Sequence, residues 1–297
     1  MNTPAYRGRF APSPSGPLHF GSLVAAVASF ADARHHGGAW LVRIEDVDQT
    51  RSLPGIEEHI LNTLAAFGMQ SDRTPERQSE RTARYDSVLE QLARSGQVYR
   101  CNCSRTAVAA IARTGPEGAI YPGTCRHNPP EAKLPAAWRV STNAKPLGFA
   151  DRILGETTQN LAGDIGDFVV KRIDGYTAYQ LAVVIDDFDQ GITDIVRGSD
   201  LFWSTPRQIW LQQLLGFPQP RYAHLPLVYT ADGRKLSKAD QAHPVDYRNP
   251  VNGLTDAWSY LGQKSPVVDF ADSAAFWDWA IPRWDMSLVP RERNIRS

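Results

Sequence analysis

Residues 5–45 begin with a short apolar strand pattern around Arg9 and Phe10, then a turn-rich stretch from Pro12 to Pro17. An Ala-rich run, FGSLVAAVASFADA, starts at Phe20, and a second strand pattern, AWLVRIE, spans Ala39 to Glu45. A helix between two strands carries the chain back to its starting end, so the strands can share a sheet only as parallel neighbours. Helical spacing then returns. Ile56, Ile60, Leu64 and Phe67 follow Pro54, and Tyr85, Val88, Leu89 and Leu92 mark a further helix that Gly96 stops. The alternation predicts an α/β fold, a parallel sheet with crossover helices.

From residue 101 the composition changes. Residues 101–165 hold all three cysteines, many Pro and Gly, and only short strand candidates such as Ala137 to Ser141, which reads as an inserted subdomain. FVVKRI and LAVVID, within residues 168–197, read as strands. Leu201 to Leu215 reads as a helix with Ser199 or Asp200 near its start, and YAHLPLVY as a final strand before the polar loop TADGRKLSKAD. Asp186 and Asp187, as neighbours on a strand, would face opposite sides and so make no joint metal site. The tail from Val251 to Ile281 reads as two helices, with Trp258, Phe276, Trp277, Trp279 and Trp284 belonging to the core rather than to a base-stacking surface.

Composition narrows the function classes. With 42% hydrophobic and 22% charged residues, wholesale disorder is excluded. No apolar run approaches the roughly 18–20 residues that cross a bilayer, and MNTPAYRGRF lacks the apolar stretch of a secretory signal, so a cytoplasmic protein is expected. Lys plus Arg equals Asp plus Glu, at 32 each. That balance is unlike a dedicated non-specific nucleic-acid binder and silent on a specific RNA partner. Three cysteines, an odd number, speak against a disulfide framework and leave metal or catalytic roles open.

Two segments carry chemistry. In RFAPSPSGPLHFGS a strand ends, a turn follows, and His19-Phe20-Gly21-Ser22 opens a helix. Unpaired N–H groups at a helix start favour phosphate, Gly21 lets a ligand approach the backbone, and His19 can donate to phosphate oxygens as charge develops. In DGRKLSKA, Arg234, Lys235 and Lys238 beside Ser237 suit a polyphosphate whose charge moves to a leaving pyrophosphate. Taken alone, each is also compatible with an ordinary turn or a solvated basic loop.

Taken together and in order, these segments resemble the class I aminoacyl-tRNA synthetases in their glutamate-specific form. RFAPSPSGPLHFGS is similar to the HIGH signature and DGRKLSKAD to the KMSKS-type loop. LVRIEDVDQTRS, GDFVVKRIDGYTAYQLAVVIDD and GITDIVRGSDLFWSTPRQ are similar to the landmarks between them. Ser22 replaces the second His of HIGH, and Leu236 the Met of the loop. The resemblance covers residues 7 to about 240 and implies a Rossmann-type catalytic domain with an inserted, acceptor-type zinc subdomain. It divides the chain into 1–100 and 166–245 (catalytic), 101–165 (insertion) and 246–297 (a short helical C-terminal region). The stretch after Ala239 is short, so no anticodon-binding domain is expected. This points to the truncated paralogue family, whose members activate glutamate with ATP and attach it to queuosine at the wobble position of tRNA(Asp). A reduced-size glutamyl-tRNA synthetase charging a 3′ end, a nucleotidyl-transfer enzyme of the HIGH superfamily and a non-catalytic tRNA-binding paralogue remain alternatives.

The resemblance implies roles residue by residue. Arg9, Phe10, Ala11, Pro12, Ser13, Glu45, Tyr179 and Arg197 would bind glutamate. Glu45 would hold the amino group, and the Arg197 fork would suit a carboxylate. His19, Gly21, Ser22 and Lys238 would bind ATP with Mg2+, and His19, Lys235 and Lys238 would be catalytic. Cys101, Cys103 and Cys125 supply three thiols where structural zinc takes four ligands. The family places a tyrosine fourth, which matches Tyr121, and His127 is the conventional alternative. The expected partners are ATP, L-glutamate and queuosine-containing tRNA(Asp), for a monomer with one structural Zn2+.

Overall fold

The computed structural model describes residues 5–115, 118–228 and 244–291. The chain begins with β1 (Arg7–Phe10), α1 (Phe20–His35), β2 (Ala39–Ile44), α2 (Ile56–Ala66), β3 (Glu76–Arg77) and α3 (Thr82–Arg94). β1 and β2 pair in parallel, Arg7 opposite Ala39, and β3 continues the sheet in parallel, Arg43 opposite Glu76. The predicted crossover is present. Gly38 closes its return: a side chain there would meet the Tyr6 carbonyl oxygen at 2.4 Å.

The next stretch contains β4 (Val98–Cys101), α4 (Arg105–Ile111), β5 (Arg113–Gly115), β6 (Gly118–Ile120), α5 (Thr124–His127) and β7 (Ala137–Val140). It continues through β8 (Leu147–Asp151), β9 (Gly155–Gln159), α6 (Leu161–Asp164) and β10 (Phe168–Lys171). β4, β7 and β10 form an antiparallel sheet in the order β10–β7–β4. This sheet packs on α3 through Val98, Val140, Phe168 and Val170, whose cluster includes Tyr85, Leu89 and Leu92.

A second parallel unit follows with α7 (Tyr179–Asp189), β11 (Asp194–Gly198), α8 (Ser204–Leu215) and β12 (Arg221–Leu225). β11 and β12 are parallel, with Arg197 opposite His224. β12 also pairs with the β8–β9 hairpin. The Thr193 N–H donates to the Arg7 carbonyl (3.0 Å) and the Arg7 N–H to Thr193 Oγ1 (2.8 Å), which sets β11 beside β1. The two halves therefore meet between β1 and β11, and the crevice beyond the carboxyl ends of such strands is where α/β sheets bind ligands.

LAVVID, expected as a strand, is helical within α7. All six of its residues, and Asp187 after them, are buried, so no polar face interrupts the sequence and the helical period is invisible there. Asp186 and Asp187 thus lie on a helix, and each is engaged by arginines. A single 3-10 turn at Ser199–Leu201 precedes α8.

The tail forms α9 (Pro250–Tyr260) and α10 (Ser273–Ala280). Trp258, Phe276, Trp277 and Trp284 are buried against α1, β1 and β2, while Trp279 packs at the edge of that cluster. The Trp277 indole N–H donates to the Phe67 carbonyl (2.8 Å) and that of Trp284 to Asp32 (3.1 Å). Paired indole donors are what allow tryptophan to be buried this completely.

Candidate active site and thiol cluster

β1 ends at Phe10, and the Pro12 carbonyl accepts from the Glu45 N–H (3.0 Å), which ties the turn to the end of β2. His19 is the N-cap of α1: its extended backbone lets Nδ1 accept from the Ser22 N–H (3.3 Å). An accepting Nδ1 puts the proton of a neutral ring on Nε2, which faces Ser22 Oγ at 3.1 Å. A Cβ on Gly21 would meet that ring at 3.2 Å, so any side chain there would press on the imidazole. Phe10, Ala11, Pro12, Ser13, His19, Gly21 and Ser22 line one cleft of about 350 Å³, with Gly198, Asp200 and Leu225 on its opposite wall. Lys235 and Lys238 fall outside the described residues, as do Arg234 and Ser237.

Beneath the turn lies a charged floor. The Arg9 Nε donates to Asp187 (3.3 Å), and Arg43 donates to Asp187 (2.8 Å) and to Gln190 Oε1 (2.7 Å). Burial disfavours ionising Asp187, but the Arg9 and Arg43 charges outweigh it and hold this carboxyl below its ordinary range. The Glu45 carboxylate lies 3.6 Å from Arg43 and is 11% exposed. Its burial pushes the carboxyl up to about 7, although Arg43 and Arg9 pull the other way. A carboxyl so poised gains most from a bound ammonium, which supplies the charge its surroundings lack.

The third wall is Arg197, buried on β11. Its Nη1 donates to the Tyr179 hydroxyl (3.3 Å) and its Nη2 to Thr205 Oγ1 (2.8 Å). The charges of Arg197, Glu45 and Arg9 all act on the Tyr179 phenol, whose ionisation burial suppresses. The four distant candidates Arg9, Glu45, Tyr179 and Arg197 therefore converge on one place. Two cations, a carboxylate and a hydroxyl there match an amino acid with a second carboxylate.

Several contributors are not on the sequence-derived roster. Arg43 and His224 each break an apolar strand, AWLVRI and RYAHL. That interruption was the available signal. Asp187 and Gln190 became partners only once α7 was a helix.

The cysteine cluster lies between the end of β4 and α5. The Cys101, Cys103 and Cys125 sulfurs lie within 4.8 Å of one another. The Tyr121 oxygen is 3.2 Å from the Cys101 sulfur and 3.6 Å from that of Cys103. It also accepts from the Cys125 N–H (2.9 Å). Tyr121 is buried, whereas His127 is exposed at the end of α5. Arg139 lies over the Tyr121 ring at 3.9 Å and donates to the Cys101 sulfur (3.3 Å). Burial works to raise the Cys101 thiol, yet hydrogen bonds with Tyr121 and Arg139 leave it below its ordinary value, as suits a thiolate donor.

Over residues 5–258 the chain matches the family described as tRNA synthetases class I (E and Q), catalytic domain, and it belongs to that family. Its α/β architecture is that of a class I synthetase catalytic domain. The chain is similar to proteins named glutamyl-Q tRNA(Asp) synthetase. That of Neisseria meningitidis serogroup C is 51% identical over 96% of this chain and 98% of its own length. That of Pseudomonas aeruginosa (strain UCBPP-PA14) is 49% identical over 97% of each. Among solved structures, a glutamate tRNA ligase from Elizabethkingia meningosepticum in complex with its amino acid superposes with a TM-score of 0.81 at 27% identity. The match covers 97% of this chain and 66% of that one.

Proposed function

We infer that the protein activates L-glutamate with ATP and transfers the glutamyl group to queuosine at the wobble position of tRNA(Asp). The observation that carries this reading is the similarity over nearly the whole chain to glutamyl-Q tRNA(Asp) synthetases. The convergence of Arg9, Glu45, Tyr179 and Arg197 beside the His19 cleft supports it.

In the first step the α-carboxylate of glutamate attacks the α-phosphorus of ATP, forming glutamyl-adenylate and expelling pyrophosphate. Arg9, Arg197 and Tyr179 hold the substrate carboxylates, Glu45 its ammonium, and Phe10, Ala11, Pro12 and Ser13 wall its pocket. The start of α1 at His19, Gly21 and Ser22 receives the phosphates, and Lys235 and Lys238 follow charge onto the pyrophosphate. Mg2+ accompanies ATP and shares that charge. In the second step a ring hydroxyl of queuosine attacks the activated carbonyl, loses its proton and forms an ester, with AMP leaving. No side-chain nucleophile is required, so catalysis is positioning and electrostatics.

Residues 1–100 and 166–245 form the catalytic domain in this reading, 101–165 the insertion and 246–297 the helical tail. Cys101, Cys103, Cys125 and Tyr121 would hold one structural Zn2+ that fastens the insertion. Three sulfurs and an oxygen gathered around one point fit a tetrahedral site. The protein acts as a cytoplasmic monomer, and among the described residues no helix is long and apolar enough to cross a membrane.

The test is incubation with ATP, labelled glutamate and queuosine-containing tRNA(Asp), either intact or stripped of its 3′-terminal adenosine. Equal label on both places the acceptor away from the 3′ end and supports modification of the anticodon. Label on the intact tRNA alone means ordinary aminoacylation and overturns the assignment.

A further inference from the structure

Behind Arg197 lies a hydrogen-bonded chain of two buried residues. His224, its cross-strand partner on β12, is fully buried, and its Nε2 sits 3.0 Å from the Arg197 Nε. The opposite nitrogen, Nδ1, is 2.6 Å from Asp151 Oδ2. A guanidinium only donates, so Nε2 must be the acceptor and the ring proton must sit on Nδ1. Asp151 cannot turn to offer anything else: its Oδ1 accepts the backbone N–H groups of Ile153 (3.0 Å), Leu154 (2.9 Å) and His224 (3.2 Å). The backbone thus selects the carboxylate orientation, the carboxylate selects the tautomer, and the tautomer selects the direction of the Arg197 fork.

The Nε proton goes to His224, the Nη2 protons to Thr205 and the Leu201 carbonyl, and one Nη1 proton to the Tyr179 hydroxyl, which leaves the second Nη1 proton for a substrate carboxylate. We propose that Asp151 and His224 are positioning residues for glutamate recognition, holding Arg197 so that it meets a substrate carboxylate in a fixed orientation. The proposal rests on the reading that Arg197 binds glutamate. A doubly protonated His224 would aim an N–H at the Arg197 Nε–H, and burial together with the Arg197 charge lowers this imidazole to about 4, so the accepting form persists at neutral pH.

Asp151→Asn is the discriminating variant. The amide oxygen must take the three backbone donors, which turns the NH2 group toward Nδ1 and moves the ring proton to Nε2, against Arg197. Long-range 1H–15N spectra of protein labelled on histidine should show His224 changing tautomer, its signal being the one missing from His224→Gln. The KM for glutamate in ATP–pyrophosphate exchange should rise roughly tenfold or more with kcat little changed, the signature of lost ground-state binding.

His224→Gln places an oxygen near the former Nε2 and should keep KM within about threefold of the parent. His224→Asn can still bond Asp151 but is too short to reach Arg197, and it should behave like Asp151→Asn. An unchanged KM in Asp151→Asn, a retained Nδ1–H tautomer, or equal effects of Gln and Asn at 224 would each overturn the proposal. Arg197→Lys separates the two levels. If it leaves KM unaltered, the reading of Arg197 fails. If it raises KM while Asp151→Asn does not, only the positioning role fails.

Discussion

The core around β1, β2 and α1 and the stretch around the cysteines are held together by different means. The sheet of β1 and β2, α1 and the tail share one core in which Trp40, Phe67, Trp258 and Phe276 are all buried to 1% exposure or less. Around the cysteines the buried set is only Cys101, Val108, Tyr121 and Cys125. That is too little apolar area to offset the entropy of ordering residues 101–127 by themselves, whereas Val140, Leu147, Phe149 and Leu161 further along are buried in the neighbouring clusters. The stretch around the cysteines also relies on polar ties. Asp167 accepts from Tyr99 (2.6 Å), the Arg126 Nε (2.7 Å) and the Thr142 N–H (2.8 Å), and the thiol cluster adds a further tie. A large core tolerates the loss of one contact, whereas a small unit stapled at one point does not.

Four perturbations would break or sharpen that contrast. The largest effect is expected from Cys125→Ser. Structural zinc contributes on the order of 10 kcal/mol to a small domain, so metal analysis should fall from about one equivalent to near zero. Proteolysis within 101–165 should follow, while the catalytic half keeps its unfolding transition. A parent protein purified without chelator and free of zinc would refute the site.

Trp258→Ala should do the reverse. It should destabilise the main core by about 3–5 kcal/mol in denaturant titrations with zinc content unchanged. Loss of zinc in that variant would mean that the two regions unfold as one.

Lys238→Ala should act on chemistry alone. It should reduce ATP–pyrophosphate exchange by roughly 10²–10³-fold and leave glutamate affinity and melting behaviour near those of the parent. Unchanged exchange would remove Lys238 from the mechanism.

The mildest effect is a pH profile. Only ionised Glu45 attracts an ammonium, and its carboxyl lies near 7 before substrate binds. At saturating MgATP, kcat/KM for glutamate should therefore be constant above about 7 and fall up to tenfold per unit below it. Glu45→Gln should lower the plateau and flatten the slope. A slope that survives in that variant belongs to another group.

Much of the fold was legible locally. α2 and α3 follow half-buried periodic patterns, α1 was legible from its Ala-rich run although most of it is buried, and the β1–α1–β2 crossover follows from strand patterns on either side of a helix. α7 was not legible, because a helix buried on every side carries no amphipathic signal and its β-branched residues imitate a strand. The candidate site divides in the same way. Arg9, His19, Glu45, Tyr179 and Arg197 could be named from ordered motifs because each lies in a distinctive local segment. Their supports could not: Arg9 and Asp187 lie 178 positions apart, and Arg197 and Asp151 are joined only through His224.

The amino-acid order by itself determined the α/β class and the order of the chemical segments, and through their resemblance to a family it supplied the residues of the candidate site. The class and the segments are set by patterns within a few turns of chain. Tertiary structure alone decided which carboxylate faces which arginine, that Tyr121 rather than His127 stands beside the thiols, and which imidazole nitrogen carries the proton at His224. Each of those choices depends on what burial removes from water. An unpaired charge or donor inside the protein costs several kcal/mol, so packing, not sequence proximity, selects its partner.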